Sequence, residues 1–141
     1  MTINGFIGVN RWLSNYEHSP VLLDGLVYPT IEHAFQAAKT FSLTDREKIR
    51  HCRLPKEARQ MGRTVSLRPG WDGMRLEVME GLLRQKFEHD DLRARLLETG
   101  DQELVENNWW GDKFWGVSGG VGENHLGKLL MKIRSELKEK P

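Results

Sequence analysis

The sequence has little that would support a disulfide, a metal site or a membrane span. Its one cysteine, Cys52, excludes an intramolecular disulfide, and the absence of a secretory signal pattern favours a reducing, cytoplasmic location. The five histidines are scattered, with no HExxH, no CxxC and no pair at helical spacing. We therefore expect no structural or catalytic zinc site. No apolar run approaches the roughly 20 residues of a membrane helix, so no membrane partner is expected.

An excess of charge of one sign is also missing. The chain has 21 Lys and Arg against 20 Asp and Glu, which gives a formal net charge of +1. A protein held on nucleic acid by bulk electrostatics usually shows a strong basic excess. Nucleic-acid recognition, if any, would therefore depend on a local patch. The length of 141 residues, 38% of them hydrophobic, predicts one globular domain over residues 1–141.

Helical periodicity dominates what is present. Apolar residues at i, i+3, i+4 and i+7 predict a helix over residues 31–40, with Thr30 as its N-cap. Asp24-Gly25 between apolar runs predicts a hairpin within residues 21–28. Other helix ends are expected at a capping box of Thr44 and Glu47, and at Pro55, Gly62, Asp72, Gly100 and Asn124. The sequence thus predicts a mainly α fold of about six helices with one or two short β elements.

A polar stripe lies along the predicted helix 31–40. Glu32, Gln36 and Lys39 stand at i, i+4 and i+7, which at about 100° per residue places them on one face. An acid, an amide and an amine together suit proton transfer and nucleophilic attack. The helix dipole offers a second explanation, because it favours an acid in the first turn and a cation in the last.

Residues 107–122 are rich in aromatic residues and glycine and have no period, which is typical of an ordered functional loop. Indoles in this loop could stack on a flat heterocycle, or they could fill the core. The candidate contacts here are Glu106, Trp109, Trp110, Asp112 and Trp115. The glycine-rich stretch 116–122 could present N–H groups to a phosphate, or could simply allow an unusual turn. Gly127, inside the last helix, indicates close approach of another element.

Several residues outside these segments are also candidates for ligand contact. Trp71 could staple the start of the long helix or lie over a ligand. The candidate phosphate partners are Arg11, Arg63, Arg68, Lys86 and Arg134. Each of these five cations, taken alone, fits a solvated or snorkelling side chain better than a ligand contact.

Taken together, these segments resemble the NADAR family over nearly the whole chain. The matching stretches are Leu13-Ser14-Asn15-Tyr16, Tyr28 to Lys39 (YPTIEHAFQAAK), Ala58 to Arg63, Arg68-x-x-Trp71-Asp72, Lys86-Phe87, Leu104-Val105-Glu106, Asp112-x-x-Trp115-Gly116 and Gly122-x-Asn124-x-Leu126-Gly127. The resemblance implies a mainly helical domain that cleaves N-glycosidic bonds of ribosides. It implies two substrate classes: ribosylamino-pyrimidine phosphates of early riboflavin synthesis, and ADP-ribose attached to guanine in nucleic acid.

The resemblance also implies roles for particular residues. Glu32 would be the catalytic carboxylate, and Lys39 the amine that attacks C1′ of a ring-opened ribose to give a Schiff base. Trp71 and Trp115 would form aromatic walls, and Asp112 would orient the ligand. The other candidate substrate contacts are Asn15, Gln36, Arg63, Glu106, Trp110, Gly116 and Asn124. This chemistry requires no metal or redox cofactor.

The partners implied by the resemblance are a small nucleotide-like substrate or ADP-ribosylated DNA. In the second case a DNA ADP-ribosyltransferase toxin would be the functional partner, and this protein its antitoxin. The alternative function is a module that binds ADP-ribose or a related nucleotide without catalysis, since the indole loop and glycine turn would serve that purpose as well.

Overall fold

A computed structural model describes residues 1–140, which form two compact units. The continuous unit is Asn15–Lys86, and the split unit joins Met1–Ser14 to the residues from Phe87 onward. In chain order the elements are β1 (Thr2–Asn4), a 3-10 helix (Gly8–Leu13), β2 (Val21–Leu23), β3 (Leu26–Tyr28), α1 (Ile31–Ala38), α2 (Leu43–Arg50), α3 (Pro55–Gly62), α4 (Trp71–Lys86), α5 (Asp90–Glu98), β4 (Glu103–Val105), β5 (Asn107–Asn108), β6 (Val117–Ser118) and α6 (His125–Glu139).

The mainly α prediction is confirmed, but the β content is larger than expected. Six strands of two or three residues form three separate pairs in the described part of the chain: β1 with β4, β2 with β3, and β5 with β6. The pair β1 and β4 is parallel and joins segments about 100 residues apart. The pair β5 and β6 is also parallel and is separated by a loop. Neither pair therefore has a local sequence pattern that predicts it. Within residues 1–140, no helix has both the length and the apolar character needed to span a membrane.

The hairpin of the continuous unit forms where Asp24-Gly25 predicts it. Strands β2 and β3 pair antiparallel, and the two turn residues adopt positive φ, 48° at Asp24 and 84° at Gly25. Positive φ at both central positions is the requirement of the tight turn that matches strand twist. The hairpin prediction is confirmed in type and position.

Helix α1 is the core element of the continuous unit and packs against α2, α3 and α4. The Thr30 hydroxyl oxygen accepts the N–H of His33, which confirms the N-cap. The buried His33 ring lies 2.7 Å from that hydroxyl through Nδ1 and 2.9 Å from the Cys52 carbonyl through Nε2. Because a carbonyl only accepts, Nε2 carries the proton and Nδ1 accepts from Thr30. Burial lowers the pKa of His33, which agrees with a neutral ring that holds the start of α1 in place.

The other helix ends show where the capping predictions succeed and where they are wrong. Pro55 begins α3 as predicted. Helix α2, however, begins at Leu43, and Ser42 is its cap, with its hydroxyl oxygen accepting from the Asp45 N–H at 3.2 Å. The Thr44 capping box is therefore wrong. Two hydroxyl residues lie within three positions of each other, and the helix takes the earlier one.

Helix α6 of the split unit begins directly after Asn124, as the sequence predicts. Asn124 occupies the N-cap position with φ of 54°, but its side chain does not cap the helix. Its Oδ1 accepts from the Glu106 N–H at 3.0 Å, and its Nδ2 donates to the Leu104 carbonyl at 3.0 Å. Asn124 thus ties α6 to β4. A Cβ at Gly127 would collide with the same Leu104 carbonyl, which confirms the close approach predicted for that glycine.

Lys86 ends α4 and is only 1% exposed. Burial lowers its pKa to about 8, although Glu17 acts in the opposite direction. Since the folded-state pKa lies below that of the unfolded chain, the unfolded chain binds more protons above about pH 8. The free energy of unfolding should therefore rise with pH in this range.

Replacing Lys86 by Met should remove this contribution to the pH dependence. Relative to Lys86→Met, the wild type should gain about 2 kcal/mol of unfolding free energy between pH 7 and pH 10. Urea denaturation of both proteins across that range measures the difference directly. Parallel pH profiles for the two proteins would contradict the lowered pKa of this buried amine.

Candidate active site

The polar stripe of α1 is present in the continuous unit. The Gln36 Nε2 group donates to Oε2 of Glu32 at 3.0 Å, so these two side chains lie along one face. Gln36 is only 5% exposed, whereas Glu32 and Lys39 are half-buried. The buried amide therefore fixes the orientation of a carboxylate that remains reachable.

Gly62 allows α3 to pack directly on this stripe. A Cβ at Gly62 would collide with Oε1 of Gln36. That oxygen is buried and has no hydrogen-bond partner among residues 1–140. The close packing therefore presses the C-terminal end of α3 against the middle of the stripe, between Glu32 and Lys39.

Lys39 follows the last residue of α1, and its pKa is lowered. Burial is the largest cause; Glu32 opposes it, and Arg59, Arg63 and Arg75 lower the pKa further. A lowered pKa raises the fraction of neutral amine at a given pH, and the neutral amine is the nucleophile. Lys39 thus has the electrostatic environment of a reactive lysine.

Arg68 positions Lys39 through the main chain. Its N–H donates to the Lys39 carbonyl at 2.7 Å, and its Nη1 donates to the Ala38 carbonyl at 3.4 Å. Its guanidinium also lies 4.2 Å from the centre of the Phe41 ring. Arg68 therefore closes the C-terminus of α1, a role that the sequence gives no local signal for because the partners lie about 30 residues apart.

Tyr16 is a member of this cluster that sequence reasoning did not single out. Its hydroxyl is hydrogen-bonded to Arg59, and burial raises its pKa, with Glu32 raising it further. The Glu32 N–H donates to the carbonyl of Asn15 at 3.2 Å, which fixes this segment to the first turn of α1. Asn15 also donates from Nδ2 to Sδ of Met79 at 3.6 Å, and its buried Oδ1 has no partner in the described chain.

Trp71 lies in the same unit and is only 5% exposed. Its ring packs on Phe35 at a centroid distance of 5.2 Å and so joins α4 to α1. Neither expected role, a staple at the helix start or a ring over a ligand, includes this contact. The implied role as an aromatic wall stays a prediction.

Two lysines of this unit have lowered pKa values, and exposure separates them. Lys86 is fully buried, whereas Lys39 is half-buried on the stripe with Glu32. A substrate can reach the second and not the first. Lys39 is therefore the better candidate for a nucleophile.

The late loop belongs to the split unit. Trp109 is 77% exposed and Trp110 is 43% exposed, and their rings meet edge to face at 4.9 Å. The core alternative is therefore wrong for these two indoles. Trp12 is the core tryptophan of this unit, because its buried ring lies against Phe87 at 6.3 Å and under the guanidinium of Arg95 at 4.6 Å.

Asp112 and Asn108 hold the late loop in shape. Oδ1 of Asp112 accepts the N–H groups of Phe114 at 3.1 Å and Trp115 at 3.0 Å. The Asn108 amide donates to the carbonyls of Glu106 and Asp112 and accepts from the Asp112 N–H. At least one carboxylate oxygen of Asp112 is thus used inside the loop, and its ligand-orienting role stays a prediction.

The glycine stretch after this loop is a structured turn. Gly119 and Gly120 adopt φ of 63° and 80°, and Ser118 and Val121 bridge across them. Gly116 is buried where a Cβ would collide with the carbonyl of Glu106. The conformational explanation for these glycines is thus realised in the structure, and the phosphate contact stays a prediction.

The predicted site residues divide between the two units. The continuous unit contains Asn15, Glu32, Gln36, Lys39, Arg63 and Trp71. The split unit contains Glu106, Trp110, Asp112, Trp115, Gly116 and Asn124. Residues 1–140 contain no group of three or more His, Cys, Asp or Glu side chains placed to hold a metal ion.

Comparison with known proteins decides the family. The NADAR domain family matches residues 7–138. The chain belongs to the NADAR family. Its NADAR relatives include the N-glycosidase YbiA of Escherichia coli, which is 44% identical over 128 residues, or 88% of this chain and 79% of YbiA. The riboflavin biosynthesis protein VVA0006 of Vibrio vulnificus is 36% identical over 91% of this chain and 36% of its own length.

The solved structure of YbiA from Escherichia coli confirms the NADAR fold of this chain. It superposes with a TM-score of 0.86 and 39% sequence identity, covering 98% of this chain and 84% of YbiA. The mainly helical fold implied by the NADAR resemblance is therefore correct. The stripe of α1 lies within the region that the NADAR family matches.

Proposed function

We propose that this NADAR protein hydrolyses the N-glycosidic bond of a ribosyl substrate, with Glu32 as the acid–base group and Lys39 as the nucleophile. The reaction class follows from the family, because a relative 44% identical over most of both chains is named an N-glycosidase. The residue roles rest on one observation. The Lys39 amine, whose pKa is lowered, shares a helix face with a carboxylate that Gln36 orients.

Each step of this mechanism uses a group of the stripe. When the ribose ring opens, the bond from C1′ to the ring oxygen breaks and C1′ becomes an imine carbon joined to the nitrogen of the base. The proton that this nitrogen loses goes to the ring oxygen. The neutral Lys39 amine adds to C1′, and the bond from C1′ to the base then breaks. The base leaves with the bonding electron pair and takes a proton from Glu32, which regains one from the Lys39 nitrogen as the lysine imine forms. Water then adds to the lysine imine, which releases the sugar aldehyde and restores the free amine.

Two substrates fit this chemistry. One is a ribosylamino-pyrimidine phosphate of riboflavin synthesis, which the name of the Vibrio relative supports. The other is ADP-ribosyl-guanine in DNA, with a DNA ADP-ribosyltransferase toxin as functional partner. The exposed indoles of Trp109 and Trp110 are surfaces on which a base can stack. With a net charge of +1, recognition of DNA would centre on the modified nucleotide.

A product assay on both substrates tests the proposal. The protein is incubated separately with a ribosylamino-pyrimidine phosphate and with an ADP-ribosylated guanine oligonucleotide, and the products are identified by mass spectrometry. We expect cleavage between C1′ and nitrogen in at least one case, giving the base and the sugar phosphate or ADP-ribose. If neither is cleaved while calorimetry shows tight binding of ADP-ribose, the protein is a binding module and the proposal is wrong.

A further inference from the structure

Three arginines of the continuous unit surround the polar stripe, and packing places two of them. Arg59 and Arg63 stand four residues apart on α3 and at its end, so they lie on one face. Gly62, between them, packs directly against Gln36. That contact sets the end of α3 against the stripe, and Arg59, which is hydrogen-bonded to Tyr16, and Arg63 both act on Lys39.

Helix α4 brings the third arginine to the same place. Trp71 packs on Phe35 of α1 at 5.2 Å, and Arg75 follows Trp71 by one helical turn on the same face. The electrostatics agree with this placement, because Arg75 lowers the pKa of Lys39 together with Arg59 and Arg63. Two independent packing contacts therefore converge on one cationic cluster.

The arginines repel the Lys39 ammonium, since each of the three lowers the pKa of Lys39. Three guanidinium groups and the Lys39 amine share the site with Glu32, the acid that acts on both Lys39 and Tyr16. Crowded cations repel one another, and this cost is offset when an anion binds among them. Guanidinium groups bind phosphate oxygens in a planar, two-point geometry.

Two other arginines with a structural role are hydrogen-bonded inside the fold. Arg46 donates from Nε to the Thr40 carbonyl at 2.7 Å, and Arg134 donates from Nη1 to the Thr99 hydroxyl at 2.9 Å. Both are buried. Arg63, by contrast, is exposed, and its guanidinium makes no hydrogen bond to residues 1–140. It has the character of a group that meets a ligand.

We propose that Arg59, Arg63 and Arg75 bind a phosphate group of the substrate beside Glu32 and Lys39, and that the Tyr16 hydroxyl positions Arg59. This inference rests on the proposed function, since it takes Glu32 and Lys39 as the reacting groups. The ligand chemistry is a phosphate carried by the ribosyl moiety. It comes either from a monoester on the 5′ carbon or from the diphosphate of ADP-ribose.

Calorimetry on the full chain tests the arginines with ligands that contain no bond to be cleaved. Ribose 5-phosphate, ADP-ribose and ribose are titrated in parallel at low salt. We expect at least one phosphorylated ligand to bind more than about tenfold more tightly than ribose, and the tighter of the two identifies the phosphate source. Arg63→Gln and Arg75→Gln should each weaken that ligand about tenfold, whereas Arg53→Gln, an exposed control in the same unit, should not.

Tyr16→Phe tests the positioning role, because it removes the hydroxyl and keeps the ring. It should raise KM for the phosphorylated substrate about tenfold while kcat changes little, a division that a general loss of folding does not produce. Equal binding of ribose and both phosphorylated ligands, or unchanged binding in the arginine variants, would overturn the inference. If the protein binds phosphorylated ligands but hydrolyses neither substrate, the proposed function is wrong and the phosphate subsite is still supported.

Discussion

Glu32→Gln should lower kcat by about three orders of magnitude, the upper range for loss of a positioned acid–base group. The amide has the same shape and can still accept the hydrogen bond from Nε2 of Gln36, which spans 3.0 Å in the wild type. It cannot give a proton to the departing base. Steady-state kinetics on the substrate identified by the product assay measures the change.

The control for this variant is Glu77→Gln, an exposed position on α4 in the same unit. Its kcat should equal that of the wild type, and thermal melting of both variants should show intact folding. Turnover by Glu32→Gln within tenfold of the wild type would remove Glu32 from the chemical step. The stripe would then be explained by the helix dipole alone.

Lys39→Met should reduce turnover to about one-thousandth or less, because methionine keeps the apolar stem and removes the amine. In the wild type, activity should rise with pH as the Lys39 ammonium loses its proton. Burial and the three arginines lower the pKa of Lys39, so this rise should occur at a lower pH than for an ordinary lysine. Lys48→Met, an exposed position on α2, is the control and should keep wild-type turnover.

The position of the pH limb tests the electrostatic argument separately. Arg63→Gln removes a positive charge that disfavours the Lys39 ammonium, so the pKa of Lys39 should rise. The rise of activity with pH, measured at saturating substrate, should therefore occur at higher pH than in the wild type. If this rise stays at the same pH, the pH dependence of activity comes from a group other than Lys39.

The stripe and its helix could be predicted from sequence because both are local. The Thr30 side chain caps α1 by accepting the N–H of His33, three residues later. Glu32, Gln36 and Lys39 stand at helical spacing. The NADAR resemblance then favoured a catalytic role for the stripe over stabilisation by the helix dipole, a choice that spacing alone left open. The close packing at Gly127 could also be predicted, because glycine destabilises a helix interior and indicates that another element approaches closely there.

What could not be predicted depends on contacts between distant segments. The contacts of Arg68 with the end of α1 and of Tyr16 with Arg59 join residues about 30 and 40 positions apart, and no periodicity connects them. The hydrogen bonds by which polar residues of the split unit hold the backbone could not be predicted either. Asn124 and Asp112 use their side chains to hold backbone N–H and carbonyl groups, which a loop without regular structure must satisfy somehow.

Trapping the covalent intermediate tests the central claim most directly. The protein is mixed with the substrate that the product assay shows it to hydrolyse, and the mixture is reduced with borohydride. The protein is then digested and its peptides are sequenced by mass spectrometry. We expect a stable secondary amine that joins the sugar to Lys39, present in the wild type and in Lys86→Met and absent from Lys39→Met. An adduct on another residue, or rapid turnover by the wild type with no adduct on Lys39, would contradict the account.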